Sequence, residues 1–151
     1  MLRFAFIGLL ALLISSCGTT KAYGDLYPNG LDSKVYLGMP MNDFVELRGV
    51  TVSDFKDDTF RKIYVDKATS EDITDIVYYF DADGDQPLYE MIFVYKDEST
   101  RDAEAKRLLG EPNNGEEWKL EREPYDVLAW KYKAKLILVS LIPDTEWADE
   151  Q

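Results

Sequence analysis

Apolar positions along this chain recur with two periods, and the switches between them mark its elements. From Gly38 to Gly49, Met41, Phe44 and Val45 fall on one face at helical spacing. Pro40 suits a first turn, where its missing N–H would be unpaired, and Gly49 can adopt the left-handed closing conformation. The spacing predicts a short helix. The period then drops to two. Phe60 to Val65, Ile73 to Phe80 and Leu88 to Tyr95 are rich in β-branched and aromatic residues and are separated by polar turns, which predicts three strands in a meander. In the third, Tyr89, Met91, Phe93 and Tyr95 alternate with Leu88, Glu90, Ile92 and Val94, so one of these sets must meet a helix layer.

A second helix is signalled by Ser99 as a cap, Asp102 to return the capping-box bond, basic Lys106 and Arg107 late, and Gly110 and Pro112 at the end. Ala105, Leu108 and Leu109 form its apolar stripe, and Leu109 and Val94 are expected in the core between helix and sheet. Strands follow at Trp118 to Leu120, Val127 to Lys133 and Lys135 to Ile142, the last two as a hairpin across Lys133-Ala134-Lys135. The fold class is therefore α+β, a mostly antiparallel sheet covered on one face by two short helices. Helix and strands occur twice in the same order, with the closing glycines about 60 residues apart. That layout reads either as a tandem helix-plus-three-strand repeat or as a chance recurrence of short helices ending in Gly.

The first residues follow another logic. Arg3 is a short basic start, Phe4 to Ile14 are apolar but fall short of the roughly 20 residues of a spanning helix, and Ser15, Ser16 and Gly18 surround the single cysteine, Cys17. A lone cysteine forms no internal disulfide. Leu13-Ile14-Ser15-Ser16-Cys17 resembles the lipobox of bacterial lipoproteins. The resemblance implies a signal peptide over residues 1–16, cut before Cys17, and lipid on the Cys17 sulfur, palmitate among its chains, holding the protein to a membrane of the bacterial cell envelope. Residues 17–34 read as the lipidated cysteine and a tether, with a packed extension equally open from Tyr23 onward. The folded domain spans 35–143, and 144–151 form an acidic tail expected to fray.

Leu37-Gly38-Met39-Pro40-Met41-Asn42-Asp43-Phe44-Val45-Glu46-Leu47-Arg48-Gly49 is similar to the Gly-Met-Thr helix opening of outer-membrane lipoproteins of the BamE (SmpA/OmlA) type. Leu109-Gly110-Glu111-Pro112 resembles their Leu-Gly-x-Pro turn, and Trp130-Lys131-Tyr132 their aromatic strand. The related β-lactamase inhibitory protein fold sets two helix-plus-sheet units in tandem. The resemblance implies an outer-membrane location with the domain in the periplasm.

Charge and missing residue types narrow the chemistry. The chain has 17 basic and 29 acidic residues, and removal of the leader takes away Arg3. Such a surface offers no basic stripe for nucleic acid. Histidine is absent, which removes the commonest general base and metal ligand, and lipid would occupy the only thiol. Ser53-Asp54-Phe55-Lys56 fits a Ser-x-x-Lys pattern but lacks the partner motifs of penicillin-interacting enzymes. No catalytic residue and no cofactor is expected. Asp81, Asp83 and Asp85 could gather oxygens about calcium, although Gly84 precedes the third carboxylate and Asp83-Gly84 between apolar strands signals a hairpin turn.

Tyr78, Tyr79, Phe80, Tyr89, Phe93, Tyr95, Trp118, Trp130 and Tyr132 cluster in the predicted strands, as core or as a face for a protein partner or glycan. The expectation is a non-catalytic envelope lipoprotein that docks a protein partner as an assembly module. The alternatives are an inhibitor or small-ligand-binding lipoprotein, and an acidic-site hydrolase or calcium-binding protein. The sequence assigns no binding residues.

Overall fold

The computed structural model describes residues 26–28, 31, 34–67 and 70–148. The leader and Cys17 lie outside the described residues, as does most of the tether. The elements are α1 (Met41–Arg48), a 3-10 turn (Val52–Asp54), β1 (Lys56–Asp58), β2 (Arg61–Lys67), β3 (Ile73–Asp81), β4 (Leu88–Tyr95), α2 (Glu98–Leu109), β5 (Trp118–Leu120), β6 (Val127–Tyr132) and β7 (Lys135–Ser140). The strands form one antiparallel sheet in the order β1-β2-β3-β4-β7-β6-β5. α1 precedes the meander β2-β3-β4 and α2 precedes β5-β6-β7, and the last strands of the two meanders, β4 and β7, pair with each other.

Both helices contribute to one hydrophobic cluster, which holds the inward side chains of the central strands. Phe44 of α1 is fully buried, and its ring meets Phe55, Tyr64, Tyr78 and Phe80 at centroid distances of 4.9 to 6.1 Å. Tilted and edge-on rings of this kind add to the area they bury. α1 ends as its sequence requires: Gly49 sits at φ 65°, its N–H donates to Glu46 O and the Val50 N–H to Val45 O.

Several expectations change. Asp97, not Ser99, caps α2, its side chain accepting from the Thr100 N–H at 2.7 Å. Asp102 instead accepts from Arg101 Nη2 at 2.8 Å and Lys131 Nζ at 3.1 Å. Leu109 is only partly buried against the helix-side cluster, and Val94 is partly buried on the opposite side of the sheet. The β3–β4 connection is six residues long, 82–87. Asp83-Gly84 does open a turn within it, with the Gln86 N–H donating to Asp83 O at 3.0 Å and Gly84 at φ 58°. β1 and the 3-10 turn before it carry no apolar alternation and escaped the pattern.

The body takes in Leu26 and Tyr27, which decides for packed extension over tether at those residues: both are buried in the main cluster, and the Tyr27 ring stands edge-on to Phe93 at 5.6 Å. The other end of the chain is packed too. Residues 144–148, expected to fray, lie against the sheet through Glu146 and Trp147.

Candidate functional site

The sheet has a second face, and cross-strand register shows what it presents. Val65 pairs with Val77, Val77 with Ile92, Ile92 with Ile137, and Ile137 with Trp130, so one apolar row crosses five strands. The adjacent row runs Ile63, Tyr79, Glu90, Val139, Leu128. Ile92, Ile137 and Val139 form a second buried cluster, with Val77, Tyr79, Val94, Leu128, Trp130 and Trp147 partly buried around it. No residue of α1 or α2 belongs to that cluster, and its margins are open: Val65 is 50% and Tyr132 55% exposed.

A β-bulge sets one end of this face. The register slips between Tyr79, opposite Glu90, and Phe80, opposite Leu88, so Tyr89 is the extra residue on β4. The slip places Leu88 in the helix-side cluster and turns Tyr89 toward the other face, against the side that simple alternation gives each of them. Tyr89 is fully buried, and its hydroxyl donates to Glu146 Oε2 at 2.8 Å. Arg61 Nη1 donates to the same oxygen at 3.2 Å, while its guanidinium lies over the Tyr79 ring at 4.7 Å.

Glu90 is the anomaly of the second row, a carboxylate only 6% exposed among apolar neighbours. Trp147 Nε1 donates to Glu90 Oε2 at 3.2 Å, and the Trp147 ring stands edge-on to Trp130 at 5.1 Å. Burial pushes the Glu90 carboxyl up to about 7, with the nearby charge of Glu146 acting in the same direction and the Trp147 bond and Arg61 opposing. Burial and the bond to Glu146 likewise hold the Tyr89 hydroxyl well above its ordinary range. The segment after Pro143 is thus latched to the sheet by an indole, a carboxylate and a cation.

The candidates from sequence fall elsewhere. Asp81, Asp83 and Asp85 lie on the rim of a cleft of about 500 Å3 with Tyr125 and Asp144, and Asp81 Oδ1 accepts from the Asp83 N–H at 2.7 Å. They are not gathered into an oxygen cage: among the described residues no three acidic side chains converge as metal ligands. Ser53 shares a 2.7 Å hydrogen bond with Thr51 in the exposed 3-10 turn. Of the aromatic set, Tyr78, Phe80, Phe93, Tyr95 and Trp118 are helix-side core, while Tyr79 and Trp130 line the second face. Glu90 and Trp147 escaped sequence reasoning, although a glutamate inside an apolar strand was a visible signal. Comparison of the chain with protein-family models, curated proteins and solved structures returns no match.

Proposed function

We propose that the protein is a non-catalytic lipoprotein of the bacterial envelope that docks a protein partner on the helix-free face of its sheet, held to the outer membrane by lipid on Cys17 with the domain in the periplasm. The observation that carries the reading is the apolar row from Val65 to Trp130, open at its Val65 end and flanked by the exposed Tyr132, on a chain with a net charge of −12. Exposed apolar patches with aromatic residues and polar rims are where partners bind, whereas the acidic remainder resists non-specific association. The layout supports one further reading. The two helix-plus-meander halves, joined through β4 and β7 with the helices on one side, derive from a tandem duplication, which leaves the other side of both halves as one continuous surface.

The test is affinity purification of the tagged full chain from detergent-solubilised membranes, in three forms. A stoichiometric partner retained by the wild type should fall about tenfold or more with Val65→Lys plus Tyr132→Lys, because two unpaired charges then enter the covered area and a loss of roughly 1.4 kcal/mol is tenfold in affinity. The partner should persist with Val52→Lys, an equally exposed site on the 3-10 turn. Retention by the face variant, or no partner on the wild type, overturns the reading.

A further inference from the structure

Besides its apolar rows, the helix-free face carries cations that the fold does not use. Register extends the second row to the outermost strands: Lys56 of β1 stands opposite Ile63 and Lys119 of β5 opposite Leu128, so that row ends in a lysine on each side. The row on the other side of the apolar one runs Lys67, Asp75, Val94, Lys135, Tyr132. Lys133, at the β6–β7 turn, sets its Nζ over the Tyr132 ring at 5.4 Å. Lys56, Lys119 and Lys133 are exposed and Lys135 is half-buried.

Among the described residues these four lysines form no ion pair, on a chain with 29 acidic residues to 17 basic. Off this face cations are matched: Lys62 meets Asp57, Lys96 meets Asp72, Lys106 meets Glu111 and Lys131 meets Asp102. The carboxylates of the face are engaged from within. Asp75 pairs with Lys67, Asp58 with Arg61, Glu146 with Arg61 and the Tyr89 hydroxyl, and Glu90 accepts from the Trp147 indole. An incoming surface therefore meets ammonium groups without partners, set around apolar ground. Charges more than about 8 Å away are largely screened at physiological ionic strength, so the acidic remainder of the chain does not cancel these lysines at the contact.

We propose that the occupant of this face is a protein whose docking surface sets carboxylates around an apolar centre, opposite Lys56, Lys119, Lys133 and Lys135. Complementary charge at the rim fixes register and speeds encounter, while the apolar rows supply the buried contact. The inference rests on the docking reading and names the chemistry of its partner.

The experiment takes the partner retained in the purification above and treats its complex with the full chain with a water-soluble carbodiimide. That reagent joins a lysine Nζ directly to a carboxylate as an amide and takes up the water released, so mass-spectrometric mapping reads lysine–carboxylate contact. Bonds from at least two of the four lysines to Asp or Glu of one partner protein are expected. Lys119→Glu plus Lys133→Glu plus Lys135→Glu should lower the retained partner about tenfold or more, the same three changed to Arg should keep it, and Lys106→Glu on α2 should leave it unchanged. Retention by the triple Glu variant, cross-links that avoid all four lysines, or cross-links confined to a second copy of this chain overturn the proposal. If the Val65 and Tyr132 variant still loses the partner in those cases, the docking face stands and only its acidic partner falls. No partner on the wild type overturns both.

Discussion

Glu90 occupies a place where the neighbouring positions on its face are valine, isoleucine and tyrosine, and its cost depends on pH. Between the ordinary carboxylate range and about 7 the folded chain keeps a proton on Glu90 that the unfolded chain releases. The contribution to stability is therefore complete at low pH and is lost as pH rises through about 7. Glu90→Gln keeps an acceptor for Trp147 and carries no charge at any pH. Its unfolding free energy from denaturant titration should match the wild type near pH 5 and exceed it at about pH 8 by on the order of 2 to 3 kcal/mol. Parallel pH profiles for the two proteins would show that Glu90 is hydrated in the fold. The glutamate itself was readable in the sequence, but its partners were not, because Trp147 and Glu146 reach it across more than fifty residues of chain.

Among the elements, those whose signals are local were legible. α1 is bounded by Pro40 and Gly49 through their own backbone preferences, and β5 was read to the residue. The failures arose where a neighbour decides. Ser99 and Asp97 are both competent caps, and α2 starts at Glu98, which leaves the cap to Asp97. Asp97→Ala should cost about 1 kcal/mol by denaturant unfolding, whereas Ser99→Ala should change the midpoint by no more than a few tenths. Equal losses would return the cap to Ser99. The β4 bulge was equally hidden: alternation assumes an unbroken ladder, and only the pairing of Phe80 with Leu88 reveals the extra residue at Tyr89.

For the whole molecule, the composition and the order of elements conveyed the α+β class, while the reach of the packed body did not follow from them. Leu26-Tyr27 and Glu146-Trp147 are short apolar or mixed pairs in polar surroundings, with no period to give them away, and they pack only because the sheet offers them surfaces. Leu26 is buried nine residues after Cys17, so an anchor there would hold the domain close to the bilayer. Cys17→Ala should move the protein out of the membrane fraction or leave the leader uncut, as fractionation and intact mass would read. A variant of mature size still sedimenting with membranes would remove lipid from the account. The outermost strands of the sheet have three residues each: β1, an exposed Lys-Asp-Asp, and β5. β1 covers only Arg61 to Ile63 of β2, and its Lys-Asp-Asp sets charge at that edge. Charge at that edge works against edge-to-edge polymerisation, and the partner proposed above would read the side chains of the broad surface instead of extending the ladder.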